Sequence, residues 1–134
     1  MARVVMRHIE GMRFIGETDT HSIVLESGYL NVQKSVAPMQ AFLLSLGGCT
    51  GMDVVAILMK MKQPPKRFTI EIEGERAKEH PKVYTRVHLK YSFVGVDYEK
   101  AKKAVELSQN RYCPISAMLR RSGCEINYDI VVES

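Results

Sequence analysis

The apolar positions of the chain change period along its length, and each change marks a new element. Residues 2–9 (Ala-Arg-Val-Val-Met-Arg-His-Ile) contain β-branched side chains and read as a strand, closed by a Glu10-Gly11 turn. Residues 12–17 and 21–26 read as two further short strands joined by the polar Thr18-Asp19-Thr20, so the N-terminus is predicted to form a meander. Residues 27–36 read as a loop. From Pro38 the spacing becomes helical: Met39, Phe42, Leu43 and Leu46 recur, followed by Met52, Val55, Ala56 and Met59. Pro38 suits a first helical turn, where its missing N–H costs nothing. Gly47, Gly48 and Gly51 interrupt the pattern, and a glycine inside a helix costs about 1 kcal/mol relative to alanine. Either the helix breaks and restarts near Cys49, or something packs very close to it. Gln63-Pro64-Pro65 ends it.

Residues 68–73 alternate apolar and polar side chains, the signature of a half-buried strand. Residues 83–93 alternate too, which predicts Val83, Thr85, Val87, Leu89, Tyr91 and Phe93 on one face, with 74–81 as a polar hairpin loop. Residues 98–108 carry Ala101, Ala104, Val105 and Ser108 on one side and lysines on the other, an amphipathic helix. Residues 113–121 form a shorter helix with Pro114 in its first turn, and 126–132 a closing strand. Strands and helices come in runs, so the expected class is α+β, organised as a single domain over residues 1–134 without repeats or linkers.

At 46% apolar and 25% charged, the chain has an ordinary globular composition. Its net charge of +4 comes from scattered lysines, with Arg120-Arg121 as the sole adjacent arginine pair. That favours a solvated surface over a nucleic-acid face. Residues 1–7 contain no apolar stretch of the kind a secretion signal needs, so a cytoplasmic location with reduced thiols is expected. Residues 36–59 are apolar enough to raise a membrane span. Pro38, Gln40, the glycines and serines at the middle, and Asp53 favour a buried helix of a soluble protein, so no membrane partner is expected. His8, His21, His80 and His88 are well separated and match no metal-ligand spacing. No metal and no cofactor are expected.

Candidate chemistry rests on Cys49, after the apolar, glycine-rich run 41–48, and Cys113, in Tyr112-Cys113-Pro114. Each reads as lying near the start of a helical stretch, where the helix dipole favours the thiolate. Two such thiols point to redox chemistry, although both also fit as small buried core residues. Cys124 reads as packing, and Asp53 and Tyr112 as helix-end and interface residues. Met39, Phe42, Leu46 and Met52 fit a pocket for an alkyl chain as well as they fit plain core. Gly48-Cys49-Thr50-Gly51 matches the Gly-x-x-Gly loop with which KH domains clamp a nucleic-acid backbone, but its middle residues are not basic.

Ala37-Pro38, an apolar helix through Leu46-Gly47-Gly48-Cys49-Thr50, and then Asp53-Val54-Val55 resemble the first cysteine motif of the OsmC/Ohr family. Arg111-Tyr112-Cys113-Pro114-Ile115-Ser116 resembles its second. The resemblance spans nearly the whole chain. Residues 10–17 and 104–108 look closest to the YhfA-like branch. The resemblance implies an intertwined homodimer built around the long helix, with the site at the subunit interface. It implies thiol-dependent reduction of organic hydroperoxides: Cys49 attacked by peroxide, Cys113 resolving the product, Arg13 steadying the thiolate, and an external dithiol as reductant. The sulfenic acid formed on the first thiol would condense with the second to a disulfide, which needs Cα atoms about 4.4–6.8 Å apart. In the characterised peroxidases a glutamate follows the proline and supports the arginine. Here Met39 and Gln40 follow Pro38. Gln40, counted with the tentative substrate pocket, is expected to accept a hydrogen bond from Arg13 without the charge-assisted pair that a carboxylate gives. That loss leaves a second reading open, a non-enzymatic dimer of the same fold that senses oxidants or binds an apolar ligand.

Overall fold

A computed structural model of the chain describes residues 1–133. Its elements are β1 (Val5–Glu10), β2 (Arg13–Glu17), β3 (Ser22–Glu26), α1 (Pro38–Lys60), β4 (Arg67–Arg76), β5 (Tyr84–Val94), α2 (Tyr98–Leu107), α3 (Pro114–Arg121) and β6 (Glu125–Glu133). The predicted order and α+β class hold. The chain divides into two compact units, one ending at Phe42 and the other beginning at Leu43.

The N-terminal unit is an antiparallel meander in the order β1-β2-β3, with Ile15 between Arg7 and Val24. Beyond β3, Val36 bridges back to Leu25, and its carbonyl accepts the Glu26 N–H at 3.0 Å. Of residues 1–42, Gly16 and Glu26 alone are buried, while Met6, Phe14, Ile23 and Val24 remain exposed.

In the second unit β5 lies between β4, antiparallel to it, and β6, parallel to it. A parallel neighbour requires a crossover, which α2 and α3 provide. Register sets Ile70, Tyr91 and Ile130 in one row and Phe68, Phe93 and Val132 in another. Residues directly opposite across strands share a face, so one side of the sheet is apolar throughout. Phe68 stacks on Phe93 with ring centroids 4.5 Å apart. The other side carries polar pairs such as Arg86–Glu125 at 3.1 Å and His88–Asp129 at 3.0 Å. Leu46, Val54 and Leu58 of α1, Val87, Leu89, Tyr91 and Phe93 of β5, and Ala101, Ala104 and Val105 of α2 form the core.

One expectation changes here, and one open alternative is decided. The alternation predicted from Val83 fails at its start, because Tyr84 is buried while Val83 and Thr85 are exposed. Glu75 pairs with Arg86 but Arg76 with Tyr84, so Thr85 is the extra residue of a bulge that turns the strand by one position. Helix α1, by contrast, runs unbroken past its glycines. A Cβ on Gly47 would stand 2.5 Å from Ile72 Cδ1, and one on Gly51 3.2 Å from Ile70 Cδ1. Gly47 and Gly51 therefore mark close packing of the helix on β4, not a break.

Beside that contact runs an open apolar groove of about 610 Å³, lined by Gly48, Met52, Val55 and Met59 of α1 and by Phe68 and Ile70 of β4. Helix α1 is long and apolar enough to cross a membrane by length and composition alone. One of its faces is nevertheless committed to the protein core: Leu46, Thr50, Val54 and Leu58 are all fully buried.

Candidate functional site

Helical spacing turns Thr50 inward with Leu46 and Val54, and places Cys49 and Asp53 four residues apart on the adjoining strip of α1. Cys49 is therefore a mid-helix residue, not the helix-start thiol the sequence suggested. Gly48-Cys49-Thr50-Gly51 is likewise helix interior. Its backbone N–H groups are spent on α1 itself, which overturns the Gly-x-x-Gly clamp reading.

Cys113 arrives by a different route. After α2 the chain makes a π-helical turn over Ser108–Tyr112, closed by the Cys113 N–H donating to the Ser108 carbonyl at 2.8 Å. Single π turns inside helices widen the backbone by one residue and often serve functional sites. Cys113 then adopts an extended backbone and caps α3, its sulfur accepting the Ser116 N–H at 3.4 Å. Pro114 at the first helical position explains the sharp restart. The predicted helix-start position of Cys113 holds.

The two thiols meet. Cys49 and Cys113 are hydrogen-bond partners, and the Ile115 backbone N–H also points at the Cys49 sulfur. Cys124 is buried elsewhere, its thiol donating to the Glu125 carbonyl at 3.6 Å. Burial first, and then the bond to Cys113, push the Cys49 thiol up to about 11, against a lowering from the Ile115 amide. Within this unit, then, Cys49 rests as a neutral thiol.

A buried polar network holds the pair from below. Thr50 Oγ1 lies 2.7 Å from both Tyr91 OH and Ser108 Oγ. Gln109 Nε2 donates to Tyr91 OH at 2.7 Å, and Ser108 Oγ donates to Asp53 Oδ2 at 2.9 Å. Gln109 can only donate there and the carboxylate only accept, so the protons run one way: Gln109 to Tyr91, Thr50, Ser108 and Asp53. Burial pushes the Tyr91 phenol up to about 12, which keeps it a neutral donor. Arg120 closes the far end through Gln109, donating from Nη1 to its backbone carbonyl and from Nη2 to its side-chain oxygen at 2.9 Å. Ser116 keeps a buried hydroxyl without a hydrogen-bond partner. Sequence reasoning missed Thr50, Tyr91, Ser108, Gln109 and Ser116. Ser108-Gln109 offered one signal, a polar pair where the α2 pattern demands core.

Arg13 belongs to the N-terminal unit. There it donates to Glu26 at 3.4 Å and to Glu10 at 3.3 Å. Glu26 is 5% exposed and also accepts the Lys34 N–H at 2.7 Å. The expected Gln40–Arg13 bond is absent, because Gln40 Oε1 instead accepts the Ala37 N–H at 2.9 Å and Gln33 Nε2 at 3.1 Å. Arg13 thus has its carboxylate after all, supplied by its cross-strand partner on β3. Of the tentative pocket residues, Met39, Gln40 and Phe42 lie in the N-terminal unit. Leu46 is fully buried in the core and Met52 lines the open groove, so those two share no surface. Among the described residues no group of three or more His, Cys, Asp or Glu side chains is placed to hold a metal ion.

Comparison with known proteins bears on the family and the fold. The curated Protein YhfA of Escherichia coli (strain K12) is 32% identical over 120 residues, covering 87% of this chain and 88% of that protein. A hypothetical protein from Aquifex aeolicus VF5 superposes with a TM-score of 0.86 at 30% identity, over 100% of this chain and 98% of its own. The organic hydroperoxide resistance protein OhrB of Bacillus subtilis shares the fold, with a TM-score of 0.66 at 18% identity over 99% and 98% of the two chains. The family model described as OsmC-like protein matches residues 32–129, a span that includes both cysteines and the whole network between them, and the chain belongs to that family.

Proposed function

We propose that the protein is a thiol-dependent peroxidase that reduces organic hydroperoxides in the cytoplasm. The observation that carries this reading is the direct contact of the Cys49 and Cys113 thiols beneath the Ile115 amide. The name of the OhrB relative, an organic hydroperoxide resistance protein, points the same way. The Cys49 thiolate attacks the outer peroxide oxygen and the O–O bond breaks. The leaving alkoxide takes a proton and departs as the alcohol, and Cys49 becomes a sulfenic acid. Cys113 then attacks that sulfur, releasing water and forming the Cys49–Cys113 disulfide. An external dithiol returns both thiols.

A thiol held near 11 needs a cation to ionise at neutral pH. Arg13 is that cation in this reading, and Glu26 is the carboxylate that fixes it. The working unit is a homodimer, in which a second copy covers the exposed apolar side chains of the meander and of α1. Sedimentation at micromolar concentration tests the dimer directly; a monomer there overturns it.

The raised Cys49 thiol specifically favours the alternative, an oxidant sensor that forms its disulfide slowly and once. Dithiol-dependent turnover of tert-butyl hydroperoxide beside hydrogen peroxide separates the two readings. Sustained turnover that favours the organic peroxide and is lost in Cys49→Ser supports the enzyme. A single stoichiometric oxidation, or no reaction in freshly reduced protein, refutes it.

A further inference from the structure

Asp53 is the sole carboxylate of α1 and ends the buried relay, yet the proposed chemistry gives it no task. It is half-buried, and its two oxygens differ in their surroundings. Oδ2 accepts the Ser108 hydroxyl at 2.9 Å. Among the described residues Oδ1 accepts no hydrogen bond, and Asp53 forms no ion pair. The relay from Gln109 through Tyr91, Thr50 and Ser108 therefore fixes the carboxylate without neutralising it. Cys49 lies one helical turn earlier on the same strip of α1. Side chains at that spacing meet, with about 5–6 Å between their Cβ atoms. After burial and the Cys113 contact, the Asp53 charge adds its own upward push on the Cys49 thiol. One oxygen is thus committed and the other open, beside a sulfur that has to lose a proton. That is the arrangement a proton acceptor requires.

We propose that Asp53 is a proton shuttle: it takes the proton of Cys49 and hands it to the alkoxide that leaves the peroxide. The proposal deepens the function proposed above and rests on it. Charge decides the route. A Cys49 thiolate beside an ionised Asp53 sets two anions side by side, and each disfavours the other. Moving the proton from sulfur to Oδ1 leaves a single anion, on sulfur, the form that the cation of the proposed function stabilises. The thiolate attacks the outer peroxide oxygen. The S–O bond forms, the O–O bond breaks, and the electron pair of that bond goes with the inner oxygen. The resulting alkoxide takes the proton from Oδ1 and leaves as the alcohol. Cys49 is then a sulfenic acid, and Asp53 is again the carboxylate it was at the start. No proton enters or leaves, and the net charge of the site is the same before and after.

Asp53→Asn tests the shuttle, because the amide keeps an acceptor for Ser108 but takes up no proton. Two rates are read on freshly reduced protein near neutral pH. The first is a single oxidation of Cys49 by tert-butyl hydroperoxide. The second is alkylation of Cys49 by iodoacetamide, which also needs the thiolate but expels iodide, a leaving group that needs no proton. Loss of the carboxylate charge lets the thiol ionise more readily, so alkylation should rise severalfold. Loss of the shuttle should lower oxidation by at least about tenfold. Opposite signs are the signature of the shuttle. A carboxylate that only repels the thiolate would raise both rates on its removal, and one that only supports the fold would lower both. Either pattern, or an unchanged oxidation rate, overturns the proposal. Asp53→Glu, which can still take up a proton, should recover part of the lost oxidation rate; a glutamate variant no faster than the asparagine one overturns it too. The readout is one oxidation event, so it separates from turnover. An unsubstituted protein that is oxidised once and never turns over refutes the peroxidase and leaves the shuttle tested, whereas a Cys49 that the peroxide does not oxidise overturns both.

Discussion

Removing one oxygen from the centre of the molecule tests how the thiol pair is held. Tyr91→Phe deletes a hydroxyl that is completely buried and makes two short hydrogen bonds, each 2.7 Å, to Thr50 and Gln109. The ring itself keeps its packing, edge-on to Tyr128 at 6.0 Å and stacked on Phe68 at 6.4 Å, so almost no cavity opens. Two neutral hydrogen bonds at about 1 kcal/mol each set a ceiling near 2 kcal/mol, beyond which a stranded partner would add its own desolvation cost. Neither partner is stranded here. Thr50 keeps Ser108 at 2.7 Å, and Gln109 keeps Thr50 at 3.4 Å. The expected loss is therefore about 1–2 kcal/mol. Urea denaturation of the reduced protein at fixed concentration reads it as a lower midpoint at unchanged slope. Because Gln109 lies inside the π turn that delivers Cys113, the same substitution should slow diamide-driven formation of the Cys49–Cys113 disulfide. Tyr128→Phe, whose hydroxyl lies outside the network, serves as the control and should leave that rate alone. A Tyr91→Phe protein within about 0.3 kcal/mol of the parent, with unaltered disulfide kinetics, would refute the idea that this network supports the site.

Three further predictions follow from other parts of the molecule. Cys49 is raised from 9.0 to about 11, so the fold favours its neutral form. That contribution is complete below about pH 9 and is lost as pH climbs toward 11, and in Arg13→Ala, which removes the cation proposed to ionise it, iodoacetamide labelling of Cys49, mapped by mass, should rise about tenfold per pH unit with no plateau below pH 10; a plateau below pH 8.5 in that variant contradicts it. Glu26→Ala strands the Lys34 N–H and leaves Arg13 with Glu10 alone, which should cost about 2–3 kcal/mol in thermal denaturation. Glu26→Gln, which keeps an acceptor for Lys34, should cost less, and equal losses would show that charge, not the amide bond, dominates. Ser116→Ala removes a buried hydroxyl that has no partner and should be neutral or stabilising by up to about 1 kcal/mol. If it also lowers peroxide turnover, that hydroxyl touches the substrate.

Much of this fold was legible because local pattern and tertiary environment agree. Phe68, Ile70 and Ile72 share the half-buried face that their alternation predicts, and the amphipathic stripe of α2 buries Ala101, Ala104 and Val105. The failures are tertiary. The glycines of α1 left a break and a close approach equally open, since their helix cost is visible in sequence while the Ile72 and Ile70 side chains that require Gly47 and Gly51 are not. Glu26 was invisible as the partner of Arg13, because cross-strand register, not proximity in sequence, joins them. The network below the cysteines was hidden for a similar reason. Thr50, Tyr91 and Gln109 come from three separate elements, and no one-dimensional pattern links a polar residue on an apolar face to its distant partners.

The capping role of Cys113 has a consequence for how redox state is reported. Its sulfur is at once the acceptor that terminates α3 and the atom that would bond to Cys49. A sulfur drawn toward Cys49 leaves the Ser116 amide without its cap, so oxidation unties the first turn of α3 from its anchor. The Ser116 amide proton becomes an internal gauge. The reduced protein should protect it from solvent exchange and a Cys49–Cys113 disulfide should release it, so a single backbone resonance is expected to record the state of the thiol pair without any label on sulfur.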